Sequence, residues 1–443
     1  MLLVLGVALF TGLPVAVALL GVSFSFAFAG MAVGAIRAEE IGAIFHRIYG
    51  TLADRDEILY AAVPMLLFMG AILHESRLAA DLLAGFARAF GGMRGGPAVA
   101  TIAVGAIQAP AAGMIGASTG ALALYALPAL RRHGYRTEDA AGLVAASGSL
   151  GAVAPPGIML FFIADAIGVQ VPALFLAMLL PLALLILLYL AYAVFCGSAA
   201  SPEIARDPYL AGAFVTAGLM VGLVALVAAG LATLSEAASL AAAGSVVAAA
   251  MQGRLSIKVL DAAIRQTALF TAMVFLIFVG ASVFSLVFRL LDGAEMVAAA
   301  AAALGTGGSA LAGALLLVFI LGCFLDWLEI VLIALPVLAA ALHAAGVGAQ
   351  FGNVQLAACW VGALFAIVLQ TSFLTPPFGY ALFLVHGASG GTVPISQIWR
   401  GAFPYVLLQL VALLCVAGIP ELVTWLPSQL LDLSVPKGPK FSE

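Results

Sequence analysis

Charged residues are scarce in this chain, where Asp, Glu, Lys and Arg together make up 9 % of 443 residues. A soluble domain carries about 25 % charged residues, and hydrophobic residues reach 65 % here. This composition excludes an ordinary soluble protein and predicts a polytopic membrane protein in a lipid bilayer. The net charge is only −4, and no basic segment suggests nucleic-acid binding.

Several motifs that carry chemistry are also missing. There is no Gly-x-x-x-x-Gly-Lys-Ser/Thr loop, so ATP is not expected to drive the protein directly. The five histidines form no His-x-x-x-His pair and no Gly-x-Ser-x-Gly occurs, so metallopeptidase and serine-hydrolase signatures are absent. The four cysteines are scattered without a Cys-x-x-Cys pair, which is typical of small packing residues. We therefore expect neither an enzyme nor an organic cofactor.

The chain does contain two Pro-Pro pairs inside long apolar segments. Pro155-Pro156 lies in the segment 140–169, and Pro376-Pro377 lies in the segment 355–386. Each segment is long enough to cross a bilayer, since about 20 apolar residues suffice. Proline has no N–H group, so backbone carbonyls before each pair lose their helical partners. At membrane depth such a break must be buried against protein or line a cavity.

The two breaks indicate an internal repeat, because Pro155 and Pro376 are 221 residues apart, half of the chain length. Each broken span follows an apolar segment with a small or polar centre, at 97–130 and 311–342, which predicts two re-entrant helical hairpins. Arginines flank the first hairpin on both sides, whereas no Lys or Arg lies between residues 289 and 400. The positive-inside rule then opens the hairpins to opposite faces.

The predicted fold is an all-α polytopic membrane protein with inverted-topology repeats, 1–206 and 207–443. Two re-entrant hairpins and two Pro-Pro-broken helices of this kind are typical of secondary transporters. The start of the chain, residues 1–36, is compatible with one over-long tilted helix or two short helices broken near Pro14. Further apolar runs predict spans near 58–73, 172–196, 209–230, 235–252, 267–291 and 401–419.

Hairpin tips and breaks of this architecture can converge near the bilayer midplane. Half-helix N-termini would then favour the carboxylate of an organic anion, and freed carbonyls would suit a hard cation such as Na⁺. The breaks add hydroxyl groups from Ser147, Ser149, Thr371, Ser372 and Thr375, and the first tip adds Ser118 and Thr119 beside Gly113 and Gly116. For the substrate itself we expect contacts with Ser149, Pro155, Pro156, Ser372, Pro376 and Pro377.

Two alternatives stay open for these polar residues. Asp326 and Glu329 stand at the second tip with i, i+3 spacing, and they either couple a cation or proton or cap the following helix and solvate the tip. The serines of a single break would by default bond back to their own helix. The repetition of the break beside Pro-Pro favours a functional role for them.

At this point the chain resembles the large membrane subunit (M subunit, DctM-like) of tripartite ATP-independent periplasmic (TRAP) transporters. The resemblance covers nearly the whole length and is carried by five motifs together. They are Val63-Pro-Met-Leu-Leu-Phe-Met-Gly70, Gly113-Met-Ile-Gly-Ala-Ser118, Ala145-Ala-Ser-Gly-Ser-Leu-Gly151 with the first Pro-Pro, Gly322-Cys-Phe-Leu-Asp-Trp-Leu-Glu329, and Leu369-Gln-Thr-Ser-Phe-Leu-Thr-Pro-Pro-Phe-Gly379.

The resemblance implies an elevator mechanism in the bacterial inner membrane, in which a body carrying both hairpins and both broken helices slides against the remaining spans. It implies Na⁺ as the coupling ion and two Na⁺ sites. On this sequence one site would comprise Gly113, Ser118, Ser147, Gly148 and Gly151, and the other Gly322, Asp326, Gln370, Thr371 and Thr375. Many relatives have a Ser-rich first tip where this chain has Gly-Met-Ile-Gly-Ala-Ser, which favours carbonyl ligands there.

Two partners are also implied, a small membrane subunit of four helices and a periplasmic substrate-binding protein that delivers an organic acid. The main alternative function is a self-sufficient ion-coupled carboxylate carrier of the same architecture. A membrane-embedded enzyme would need a cluster of reactive side chains, which the sequence does not suggest. A non-transporting scaffold subunit would leave the paired breaks without a purpose.

Overall fold

The computed structural model describes residues 1–11, 13–37, 61–90, 95–111, 115–196, 210–293, 306–377 and 379–431, together with residues 39, 40, 42, 45, 46, 48, 49, 93 and 295. Regular structure in this part of the chain is helical throughout. Seven of the described helices are long and apolar enough to cross a membrane, or eight if the first broken pair counts as one span. The prediction of an all-α polytopic membrane protein is therefore confirmed.

The first half of the chain begins with two separate short helices, which decides the open question about residues 1–36. Pro14 caps the second of them and cannot continue the first. The helices of this half are α1 Leu2–Phe10, α2 Val15–Ala32, α3 Ala62–Glu75, α4 Leu78–Phe90, α5 Gly96–Ala111, α6 Ile115–Arg132, α7 Thr137–Val153, α8 Ile158–Ile167 and α9 Val171–Cys196.

The second half repeats the succession of two hairpin arms, a helix, a break, a half-helix and a long helix. Its helices are α10 Leu210–Ala228, α11 Leu234–Met251, α12 Ile257–Leu290, α13 Gly308–Gly322, α14 Trp327–Ala344, α15 Val354–Ser372, α16 Tyr380–Ala388, α17 Ile395–Gly418 and α18 Glu421–Leu430. Within α14 the stretch Ile330–Ala334 is π-helical. The division into inverted repeats at residue 206 and the re-entrant nature of the hairpins stay predictions.

Helix α12 begins ten residues before the predicted start near 267. The Ser256 side chain caps it by accepting the N–H of Val259 at 3.3 Å, and the first turns carry Lys258, Asp261 and Arg265. The helix covers the predicted apolar span, and it extends further towards its N-terminus because a helix needs no apolar surroundings to form. With 34 residues the helix is about 51 Å long, well beyond the roughly 30 Å of a bilayer core.

The two pre-break helices form the centre of the molecule. Every residue of α7 from Ala140 to Val153 is buried, and so is every residue of α15 from Cys359 to Ser372. A helix that is apolar or small on all sides is stable only when other helices surround it. Helices α7 and α15 contact each other, α7 also packs on both arms of the first hairpin and on α17, and α15 packs on α13 and α9.

The half-helices after the breaks cross over to the opposite half of the chain. Helix α8 packs on α14 of the second hairpin, and α16 packs on α6 of the first hairpin. Side chains confirm the first contact, since the ring of Phe162 in α8 lies 6.3 Å from that of Trp327 at the start of α14. Each break is therefore bordered by both halves.

Candidate functional site

The first break leaves two backbone carbonyls without partners. In a continuous helix the carbonyls of Gly151 and Ala152 would accept from residues 155 and 156, which are prolines. No backbone N–H of the described residues bonds to either oxygen instead. A Cβ on Gly157 would lie 3.1 Å from the Gly151 oxygen and 3.2 Å from that of Ala152. These oxygens thus point into a small buried space, where helices α7 and α8 meet at a 45° bend.

The arms of the first hairpin approach the same helix through glycines. A Cβ on Gly148 would lie 2.3 Å from the Thr119 hydroxyl, and one on Gly105 would lie 2.2 Å from the Ser147 carbonyl oxygen. Ser147 and Thr119 are both fully buried, and neither hydroxyl has a hydrogen-bond partner in the described structure. Unpaired buried hydroxyls cost about 1–3 kcal/mol each. Together with the carbonyls they form a set of oxygen atoms suited to a hard cation.

The second break is satisfied more locally. The carbonyl of Phe373 accepts the N–H of Ala381 at 3.1 Å, and that of Ser372 accepts the N–H of Thr375 at 3.3 Å. A Cβ on Gly322, at the end of α13, would lie 2.5 Å from the Cβ of Ser372, so the second hairpin tip abuts this break. Pro376 and Pro377 are exposed, whereas Pro155 is half-buried and Pro156 is buried. Both Pro-Pro bonds are cis.

Asp326 and Glu329 sit where the second tip turns into α14. Asp326 is the N-cap residue, and its carboxylate interacts with the N–H groups of Trp327 and Leu328. The Glu329 carboxylate interacts in turn with the N–H of Asp326, although no capping contact reaches the geometry of a full hydrogen bond. This reciprocal arrangement resembles a capping box and favours the capping interpretation. Asp326 also lies within electrostatic reach of Tyr380 in the second break.

A side-chain hydrogen bond joins the two breaks directly. The Gln370 amide Nε2 donates to the Ser149 hydroxyl at 3.4 Å, and both residues are fully buried. Their separation of 221 residues equals that of Pro155 and Pro376, so the two residues are equivalents in the sequence repeat.

The half-helices α8 and α16 both begin without a side-chain cap. Their N-cap residues are Gly157 and Gly379, neither of which offers a side chain to bond the first N–H groups. Among the described residues no backbone acceptor takes the N–H of Ile158 or Met159. Such N-termini attract negative groups through their N–H groups and the helix dipole.

Most predicted site residues lie in the hairpin tips and breaks that the structure describes, and two cannot be placed in this way. Gly113 is outside the described residues, and Ser118 lies in α6 with its side chain outside them. The structure joins Ser149 of the first break to Gln370 of the second and sets Gly322 of the second tip against Ser372. The other predicted residues of the described part belong to the first break (Ser147, Gly148, Gly151, Pro155 and Pro156) or to the second tip and break (Asp326, Thr371, Thr375, Pro376 and Pro377). Their roles as ligands stay predictions.

Three buried polar residues near the breaks were missing from the predicted ligand sets. Thr119 was noted only as a tip hydroxyl, whereas the structure places it against Gly148. Tyr189 in α9 and Gln409 in α17 are hydrogen-bonded to each other at 2.8 Å. A signal existed for Gln409, because an amide in an apolar span is costly in a membrane unless it has a partner.

A multi-pass helical bundle whose two interrupted helices meet in its interior, with bare carbonyl and hydroxyl oxygens beside them, has the features of a membrane transporter. Comparison with known proteins gives the family. The profile of the family described as tripartite ATP-independent periplasmic transporter, DctM component, matches residues 2–422. The chain belongs to this family and is a transport protein rather than an enzyme.

Curated relatives are similar over most of their length. The chain is 27 % identical over 380 residues to the C4-dicarboxylate TRAP transporter large permease protein DctM of Pseudomonas aeruginosa, covering 83 % of this chain and 86 % of that protein. It is 25 % identical over 441 residues to the sialic acid TRAP transporter large permease protein SiaM of Vibrio cholerae, covering 96 % of each. Both are named as large permease proteins, so the recognised family and the membrane-transport class are confirmed.

The fold is similar to that of a solved transporter. The crystal structure of the Alcanivorax borkumensis YdaH transporter superposes with a TM-score of 0.63, covering 88 % of this chain and 91 % of that one. Only 15 % of the aligned residues are identical. The likeness therefore supports the polytopic transporter fold.

Proposed function

We propose that this chain is the large permease subunit of a Na⁺-coupled importer of an organic acid. The observation that carries the proposal is the meeting of the two breaks, joined by Gln370 and Ser149 in the buried interior. Unpaired oxygens of Gly151, Ala152, Ser147 and Thr119 lie beside the first break. Neutral oxygen ligands of this kind are what Na⁺ requires in transporters. Sodium bound there would be coordinated by these oxygens, and its positive charge would favour the approach of an anion.

The substrate proposal follows from the half-helix N-termini. The open N–H groups at Ile158 and Met159 would hold a carboxylate. C4-dicarboxylates and sialic acid, in the names of the two relatives, carry such a group. The exposed Pro376 and Pro377 give the substrate access to the second break.

The mechanism that this arrangement supports is of the elevator type. The hairpins and broken helices, α5–α8 and α13–α16, pack on one another across the two halves and would move as one body, here called the transport body. Helix α12 would stay in place. The family is that of a tripartite system, so we propose a small four-helix membrane subunit and a periplasmic substrate-binding protein as partners, in a bacterial inner membrane.

The test is uptake by the full complex in proteoliposomes. The chain is purified with the small subunit encoded beside it, and the neighbouring binding protein is first screened by thermal shift against small carboxylates, beginning with C4-dicarboxylates. Uptake of the carboxylate that stabilises the binding protein should require an inward Na⁺ gradient and should vanish when K⁺ replaces Na⁺. Uptake without the binding protein would instead indicate a self-sufficient carrier, and uptake driven equally by K⁺ would contradict Na⁺ coupling.

A further inference from the structure

A buried hydrogen-bond network extends from the two breaks to the long helices α9 and α17. Gln409 in α17 donates its amide to the Tyr189 hydroxyl in α9 at 2.8 Å. The Tyr189 hydroxyl also lies close enough to the Ser149 hydroxyl in the first break to interact with it. Ser149 accepts the Gln370 amide from the second break at 3.4 Å and donates to the Ala146 carbonyl at 2.8 Å. Four helices thus contribute one side chain each, and all four side chains are fully buried.

The orientation of the two amides in the structure sets the direction of these bonds. The amides of Gln409 and Gln370 donate, and the Ser149 proton goes to a backbone carbonyl. The amide oxygens Gln370 Oε1 and Gln409 Oε1 are buried and have no hydrogen-bond partner in the described structure. Buried acceptors are normally paired, so the Gln370 oxygen has lone pairs left for a further partner. Gln370 belongs to the set proposed to hold Na⁺.

Packing holds the Tyr189 hydroxyl in place. Its ring stands edge-to-face on that of Tyr405, with centroids 4.9 Å apart. Tyr192, on the same helix, contacts the same Tyr405 ring at 5.2 Å, and it is not among the hydrogen-bond partners of Ser149 or Gln370. Tyr189 is therefore held in place by its packing on Tyr405, and Tyr192 offers a matched control because its ring packs on the same residue.

We infer that Tyr189 and Gln409 are positioning residues that orient Ser149 and Gln370 and so set the Na⁺ affinity of the transporter. This inference rests on the proposed Na⁺ coupling. Without the Tyr189 hydroxyl, Gln409 loses its acceptor and Ser149 loses a partner. The Gln370 side chain then gains freedom, which must be lost again when its oxygen binds a cation. The affinity for Na⁺ falls, while the maximal transport rate at saturating Na⁺ is retained.

The experiment compares Tyr189→Phe and Gln409→Met with Tyr192→Phe, each in the purified complex with the small subunit. The readouts are the Na⁺ concentration for half-maximal thermal stabilisation and the Na⁺ dependence of uptake. We expect Tyr189→Phe and Gln409→Met each to raise the half-saturating Na⁺ concentration about three- to tenfold, as for an inter-helix hydrogen bond in a membrane. The double variant should have a half-saturating Na⁺ concentration no higher than that of the more strongly affected single variant, because both substitutions disrupt the same network. Tyr192→Phe should match the wild type.

The outcomes separate this inference from the proposed function. A wild-type protein that Na⁺ does not stabilise would refute the coupling itself. Stabilisation of the wild type with an unchanged half-saturating concentration in Tyr189→Phe would overturn the inference, even if that variant melts at a lower temperature without Na⁺. Should Tyr189→Phe not fold, Gln409→Met decides in the same way, since a wild-type Na⁺ curve for it also overturns the inference.

Discussion

At the scale of single residues, the hydroxyls of the breaks differ in how their protons are used. Thr371 donates to Val368 O at 2.6 Å, Ser372 to Leu369 O at 2.5 Å, and Thr375 to Thr371 O at 2.8 Å. A hydroxyl that gives its proton to its own helix keeps lone pairs for another partner. Back-bonding and cation binding are thus compatible for these residues. Ser147 makes no such bond, and its oxygen is the least committed of the set.

If both hydroxyl oxygens contact the cation, Ser147→Ala and Thr375→Val should each weaken Na⁺ binding. Removing either oxygen should raise the half-saturating Na⁺ concentration for uptake about five- to tenfold, corresponding to roughly 1–1.4 kcal/mol. Ser147→Ala should not reduce stability, because the unpaired buried hydroxyl is itself costly. Uptake assays across a Na⁺ series and melting curves measure the two effects.

Matched controls exist elsewhere in the chain. Ser245 is fully buried in α11 and bonds back to Ala242 O at 2.6 Å, and Thr101 is buried in α5 and bonds back to Pro97 O at 2.8 Å. Ser245→Ala and Thr101→Val should leave the Na⁺ response unchanged. An unchanged response in Ser147→Ala and Thr375→Val as well would show that neither side chain binds the cation.

The sequence predicts the position of a helix break where a strong helix breaker such as Pro-Pro is present. It does not predict the contacts of isolated polar residues in apolar runs. The Pro-Pro pairs located both breaks, and the repeat they define pairs Ser149 with Gln370. Tyr189 and Gln409 stand alone in apolar runs without a periodic pattern. These two residues are bonded to each other although they are 220 residues apart in the chain, and no local sequence rule connects positions so distant.

At the scale of helices, α7 and α17 cross at a pair of glycines. A Cβ on Gly401 would lie 1.8 Å from the Glu138 carbonyl oxygen, and one on Gly142 would lie 2.0 Å from the Gly401 carbonyl carbon. Both obstacles are backbone atoms, which cannot rotate away. Small residues of this kind let membrane helices approach closely, and here they hold a pre-break helix against a long span.

Gly401→Ala should therefore separate α7 from α17. Overpacking costs typically 1–3 kcal/mol, and we expect about 3 kcal/mol because only backbone can yield. The purified protein should melt at a clearly lower temperature and lose uptake. Gly418, on the same helix, has nothing within 4 Å of a built Cβ, so Gly418→Ala should melt like the wild type or slightly higher, as alanine favours helix. Equal melting temperatures for all three proteins would contradict the close crossing.

An ion pair away from the breaks joins α4 to the connection between α11 and α12. Arg254, between α11 and α12, contacts Asp81 of α4 at 2.8 Å, with 22 % and 10 % of the side chains exposed. Removing one partner of a buried pair leaves the other charge uncompensated, at about 3–5 kcal/mol. Arg254→Gln should lower stability by about 3 kcal/mol in a melting assay, since Arg254 keeps some contact with solvent.

The exposed pair Arg265–Asp261 is the control for this prediction. Its atoms are 3.5 Å apart and the side chains are 72 % and 66 % exposed. Surface pairs contribute at most about 1 kcal/mol, so Arg265→Gln should change the melting temperature little. Equal losses in the two variants would indicate that burial of the Arg254 pair has no special importance.

At the scale of the whole molecule, the packing order could not be predicted from the chain. The helix succession of the two halves follows from apolar runs and Pro-Pro pairs. The crossing of α8 to α14 and of α16 to α6 does not, because apolar faces of similar composition offer no preference that a sequence pattern displays. This crossing joins both hairpins and both broken helices into the transport body that we propose.

The aromatic ring of Phe162 in α8 distinguishes contacts within this body from contacts at its border. It lies 6.3 Å from Trp327 of α14, inside the body, and 6.1 Å from Phe278 of α12, outside it. In a background without the native cysteines, Phe162→Cys/Phe278→Cys joined by a short bismaleimide should abolish uptake, because the body can no longer slide along α12. Phe162→Cys/Trp327→Cys joined in the same way should retain it.

The two cross-linked proteins share one position and one reagent, so a difference between them reports relative motion alone. Uptake before cross-linking, measured for both double variants, removes the effect of losing the aromatic rings. Inactivation of both by the reagent would mean that Trp327 and Phe162 also move apart, which contradicts a single body. Retained uptake in both would mean that α12 travels with α8, and the border between moving and fixed helices would then lie elsewhere.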